Sequence, residues 1–86
     1  MGMDLLEIVL EAEGEFDIRL DHNEVPLLVG DLLAPTISAI RRQHPESMLK
    51  DDDIWHQLRR MVSDQLGVPF EQVTKTANFV TDLGCV

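Results

Sequence analysis

The sequence predicts a small all-α protein, and three observations carry that prediction. Three stretches, 4–16, 29–42 and 52–66, repeat apolar residues every three or four positions, as helices with one buried face do. The one segment that alternates like a strand, Phe16-Asp17-Ile18-Arg19-Leu20, is too short and too isolated to build a sheet. The 86 residues are 44% apolar, enough for one domain with a modest core and too apolar for a disordered chain. The expected architecture is a small bundle of three long helices and one short one.

The first helix is read over 4–16. Leu5, Ile8, Val9, Ala12 and Phe16 form its apolar face. Asp4, Glu7, Glu11 and Glu15 recur at the same spacing on another face, with no lysine or arginine between them. Such a stripe reads either as a solvated face or as a docking surface. Gly14 costs about 1 kcal/mol of helix propensity relative to alanine. Residues 17–28 read as a loop, with Asn23 able to cap a short turn over Glu24 to Leu28.

The second long helix is read over 29–42, with Asp31 as N-cap and Val29, Leu32, Leu33, Ile37 and Ile40 inward. That start puts Pro35 near the end of the first turn, where it removes at most one backbone bond. Arg41 and Arg42 close the helix where cations suit its dipole. Residues 43–51, centred on His44-Pro45-Glu46-Ser47, are the best linker in the chain. The third helix follows over 52–66, capped by Asp52 or Asp53. Ile54, Leu58, Met61, Val62 and Leu66 face inward, Trp55 lies at the edge of that face, and Gly67 is a natural stop. Pro69 to Val73 looks like one helical turn, and Phe79, Val80 and Leu83 are the expected core anchors beyond it.

The net charge is −9, from 16 acidic and 7 basic residues. Nucleic acid is a poor partner for such a chain, and a basic protein surface a better one. No apolar run approaches the length of a membrane span, and the N-terminus does not read as a secretory signal. Cys85 is the single cysteine, so no internal disulfide forms, which suits a cytoplasmic location. His22, His44 and His56 lack metal-ligand spacing, Asp51-Asp52-Asp53 lacks the spaced ligands of a calcium loop, and no metal site is expected. No nucleophile–base pair is legible, so the chain is not expected to be an enzyme.

A more specific reading comes from joining the two ends. With Met1 set aside, Phe79-Val80-Thr81-Asp82-Leu83-Gly84-Cys85-Val86 runs into Gly2-Met3-Asp4-Leu5-Leu6-Glu7. This resembles the acyl carrier protein signature, in which D-L-G-x-D-S-L-D precedes an acidic helix. Other pieces agree when the chain is read as 48–86 followed by 2–45. Ile54 to Gly67 is similar to the family's first helix. Phe70-Glu71-Gln72-Val73-Thr74 resembles the loop after it. Glu13-Gly14-Glu15-Phe16-Asp17-Ile18 resembles the end of the recognition helix, and Val29-Gly30-Asp31-Leu32 the start of the last helix. The resemblance implies a circularly permuted, four-helix carrier fold in one domain over 1–86, with 43–51 joining the old termini. Permutation is tolerated where domain termini lie close together and the new ends fall in an exposed loop.

In the family a serine takes 4'-phosphopantetheine, and the acidic helix docks on basic patches of acyl-transfer or condensing enzymes. By this resemblance Asp82, Leu83 and Gly84 flank the attachment position, and Asp4, Glu7, Glu11 and Glu15 are the docking residues. The attachment serine itself falls on Gly2, which has no hydroxyl. No cofactor is therefore expected on this chain, although the docking surface for fatty acid or polyketide-type enzymes remains. Ser38, Ser47 and Ser63 lie outside the motif, and Cys85 reads as a small apolar residue. The alternative is an acidic interaction or scaffold module without acyl chemistry. The chain is a monomer, or a dimer in which two copies exchange helices.

Overall fold

The computed structural model describes residues 5–21 and 26–84. Among these it contains α1 (Leu5–Phe16), α2 (Val29–Gln43), α3 (Asp51–Leu66), and a single 3-10 turn over Phe70–Gln72. No strand occurs among the described residues, and the only ladder-like pairing there is an isolated bridge between Leu28 and Asn78. This is compatible with the all-α carrier-like fold. The short turn that Asn23 could cap over Glu24 to Leu28 is not helical at Pro26–Leu28, and His22 to Val25 lie outside the described residues.

Each helix buries the face its periodicity assigns. Ile8, Val9, Ala12 and Phe16 of α1 meet Val29, Leu32, Leu33, Ala39 and Ile40 of α2 and Ile54, Leu58, Met61 and Val62 of α3 in one cluster. Thr36 is fully buried within it, and its hydroxyl donates to the Leu32 carbonyl at 2.7 Å, so its polar atom is satisfied. Phe79 and Leu83 close the core from the C-terminal segment, but Val80 points outward, 43% exposed. The turn over 79–83 sends residues four apart to one side, and Val80 falls off that side.

The helix starts differ from expectation. The N-caps are Leu28 and Lys50, neither of which has a side-chain acceptor. Asp31 and Asp53 stand three residues further in and reach back, accepting the backbone N–H of Leu28 at 3.2 Å and of Lys50 at 3.1 Å. They form the return half of a capping box, and their charge still suits the helix N-terminus. Because α2 starts at Val29, Pro35 lies inside it, beyond the first turn. Helix ends behave more as foreseen. Gly67 adopts φ +65° after α3, as its lack of a Cβ allows. Asp17 does the same at φ +53° after α1, and the Ile18 N–H reaches back to the Glu13 carbonyl at 3.1 Å.

The linker between α2 and α3 is held by Arg41, which donates to the Leu49 carbonyl at 2.6 Å and pairs with Asp51 at 2.8 Å. That ion pair is exposed and contributes at most about 1 kcal/mol. On the far side of α3, Arg59 lies over the Phe70 ring, 4.0 Å from its centroid, and donates from Nε to the Phe70 carbonyl. Lys75 reaches the Trp55 ring from the following loop, 5.5 Å from the centroid.

The loop 74–79 is stitched to the start of α2. Val29 N–H donates to the Ala77 carbonyl at 3.0 Å, Gly30 N–H to the Lys75 carbonyl at 2.8 Å, and Phe79 N–H to the Leu27 carbonyl at 2.8 Å. A Cβ on Gly30 would stand 2.8 Å from that Lys75 oxygen, whereas one on Gly14 would meet nothing within 4 Å. The same substitution therefore has opposite signs at the two sites. Gly30→Ala is expected to destabilise by about 1–3 kcal/mol, and Gly14→Ala to stabilise by about 0.5–1 kcal/mol. Urea unfolding of both variants measures this, and a Gly30→Ala variant as stable as the parent would contradict the close approach.

Candidate functional site

The motif that carries the family resemblance forms a capped turn. Asn78 Oδ1 accepts the N–H groups of Val80 and Thr81 at 2.9 and 3.1 Å. Asp82 returns the bond, its Oδ2 accepting the Asn78 N–H at 2.8 Å. The Asn78 carbonyl takes the N–H groups of Asp82 and Leu83 at 2.9 and 3.1 Å. Leu83 is buried and Gly84 turns out of the segment at φ +80°. Asp82 thus shapes the turn, Leu83 anchors it to the core, and Gly84 provides a conformation most residues avoid. Sequence reasoning missed Asn78, although an asparagine ahead of a turn is the signal of an Asx-type cap. Gly2, Asp4, Cys85 and Val86 lie outside the described residues, so the structure leaves the junction of the two ends undescribed.

On α1 the residues named as docking groups separate. Glu7 and Glu11 are exposed. Glu15 is exposed too, but its Oε1 accepts from the Gln57 amide at 3.1 Å, which ties it to α3. Glu13, on the opposite side of the stripe, accepts the Leu20 N–H at 2.9 Å and helps close the helix end. Two residues that the reading of the sequence left out complete the outward face. Leu6 is 47% exposed and Leu10 48% exposed, four apart and beside Glu7 and Glu11. Apolar positions outside the core periodicity were the available signal. The face combines exposed apolar area with exposed carboxylates.

A cavity of about 430 Å³ with a mixed lining opens between α1, α2 and the connection between them, with Val9, Leu20, Leu27, Leu32 and Pro35 in its wall beside the carboxylates Asp21 and Asp31. Among the described residues no group of histidine, cysteine and carboxylate side chains is placed to hold a metal ion, and no helix is long and apolar enough to cross a membrane. Of the serines outside the motif, Ser63 donates to the Val68 carbonyl at 2.7 Å and Ser47 accepts the Leu49 N–H at 3.3 Å, while Ser38 is exposed on α2.

The reciprocal cap makes a direct prediction. Asn78→Ala should lower stability by about 1 kcal/mol, the cost of losing a helix-cap acceptor. Thermal unfolding followed by circular dichroism reads it, and no loss would show that the turn does not depend on the cap.

A 36-residue segment of the chain is 44% identical to an acyl carrier protein from Guillardia theta. The segment makes up 42% of this chain and 44% of that protein. No family model and no solved structure matches the chain.

Proposed function

We propose that the chain is an acyl carrier protein-like domain, its two halves in rotated order. It docks on fatty acid or polyketide-type biosynthetic enzymes through α1, and it bears no phosphopantetheine arm of its own. The observation that carries this reading is the outward face of α1, where Leu6 and Leu10 lie exposed beside Glu7 and Glu11. A surface of that kind favours a basic partner with an apolar contact. Opposite charge on the two sides gives fast, weak and salt-sensitive association, which suits a protein that visits several enzymes. The similarity to an acyl carrier protein over less than half of each chain supports the carrier-like part of this reading.

The absence of an arm rests on Gly2 at the position that the resemblance assigns to the attachment serine. Phosphopantetheine is joined through a hydroxyl oxygen, and glycine offers none. The domain then keeps the surface by which enzymes recognise a carrier while delivering no thioester.

Two measurements test the proposal separately. Intact mass is compared before and after incubation with coenzyme A and a promiscuous phosphopantetheinyl transferase. No gain is expected. A gain of one phosphopantetheine would overturn the armless reading and direct attention to Ser38, Ser47 or Ser63. Docking is tested with a purified condensing enzyme of fatty acid synthesis at low salt. Replacing Glu7 and Glu11 by lysine should weaken binding roughly tenfold or more while the helical circular dichroism signal stays unchanged. Equal binding by the parent and the charge-reversed variant would remove α1 as the docking helix.

A further inference from the structure

The end of α1 and the end of α2 meet in a joint made of polar contacts. Gln43, the last residue of α2, grips the Arg19 backbone from both sides. The Arg19 N–H donates to its Oε1 at 2.8 Å, and its Nε2 donates to the Arg19 carbonyl at 2.8 Å. Beside it, His44 Nε2 lies 2.5 Å from the Asp17 carbonyl oxygen, and Nδ1 lies 3.7 Å from Glu46 Oε1. The stretch so held, Asp17 to Leu20, ends at a residue in the wall of the cavity between α1 and α2.

Among the described residues, the charged groups facing His44 are of one sign. Asp17 stands at the end of α1, Glu46 on the same turn as His44, and Glu15 in the shared cleft. From α3 that cleft receives the neutral Gln57 amide, which donates to Glu15. Arg19 enters the joint through its backbone.

We propose that His44 is a pH-graded clamp on the segment from Asp17 to Leu20. Protonated, its ring donates to the Asp17 carbonyl through Nε2 and presents Nδ1–H to Glu46, so the segment is held against the end of α2. Neutral, the ring keeps one N–H, the attraction to the surrounding carboxylates is lost, and the segment opens more readily. The hydrogen bond to the Asp17 backbone, opposed by desolvation and reinforced by the charges of Asp17 and Glu46, raises the imidazole pKa above its ordinary 6.5. A pKa raised on folding means that the clamp acts fully below about 6.5 and fades as pH rises through the folded-state value.

The test is nuclear magnetic resonance of the whole chain. Ring resonances of the three histidines give their titration curves, and amide exchange at Arg19 and Leu20, corrected for its intrinsic pH dependence, reports opening of the segment. His44 is expected to titrate above 6.5, and protection at Arg19 and Leu20 to fall severalfold as pH rises through that titration. In His44→Gln, which has an amide donor but no titration, protection should be flat with pH. Glu46→Gln, an exposed change away from the core, should lower the His44 pKa and move the loss of protection with it. A His44 titration at or below 6.5, or the same pH profile in parent and His44→Gln, overturns the proposal.

Discussion

The rest of the structure depends on the backbone seam between the C-terminal loop and the start of α2. A helix begins with N–H groups that its own turns leave unsatisfied. Here Val29 and Gly30 give two of them to the carbonyls of Ala77 and Lys75, and Phe79 returns a bond to Leu27. Those three bonds place Phe79 and, through the capped turn after it, Leu83 against the helices. They also require bare backbone at residue 30, because no side chain fits in front of the Lys75 oxygen. The last part of the chain thus becomes a structural member of the bundle rather than a tail.

Against that frame α1 is divided by direction. Its inner face supplies Ile8, Val9, Ala12 and Phe16 to the core. Its outer face keeps Leu6 and Leu10 in solvent with Glu7 and Glu11. Exposing two leucines four residues apart gains nothing for folding, since hydrophobic stabilisation follows area removed from water. Under the proposed function that area is where a basic partner would dock, since opposite charge favours the encounter. Glu13 and Glu15 also contribute to structure, one to the end of the helix and one to the contact with Gln57 on α3.

The three helical spans were legible because long periodic faces are read directly from spacing, and helix boundaries shift by only a residue. The caps were misread for a local reason. An aspartate near a helix start serves equally at the cap or three residues inside, and Asp31 and Asp53 take the inner place while Leu28 and Lys50 hold the outer one. Val80 was assigned to the core with Phe79 and Leu83, yet spacing of four separates those two from it. Glu7 and Glu11 were correctly expected on an exposed stripe, while Leu6 and Leu10 were overlooked because apolar residues were sought only on the buried face. The joint between Gln43, His44 and the residues after α1 had no local signal at all, since it unites positions 24 to 27 residues apart.

The chain has a single tryptophan, and its place gives that residue a second use. Trp55 lies on α3 under the ammonium of Lys75, and the carbonyl of the same lysine receives the Gly30 N–H. Side chain and backbone of one residue thereby connect an indole ring to the seam that holds α2. Any separation of the loop from α2 moves a cation relative to the only indole in the protein. That makes the indole the natural place to look for an optical signal of the seam without a label.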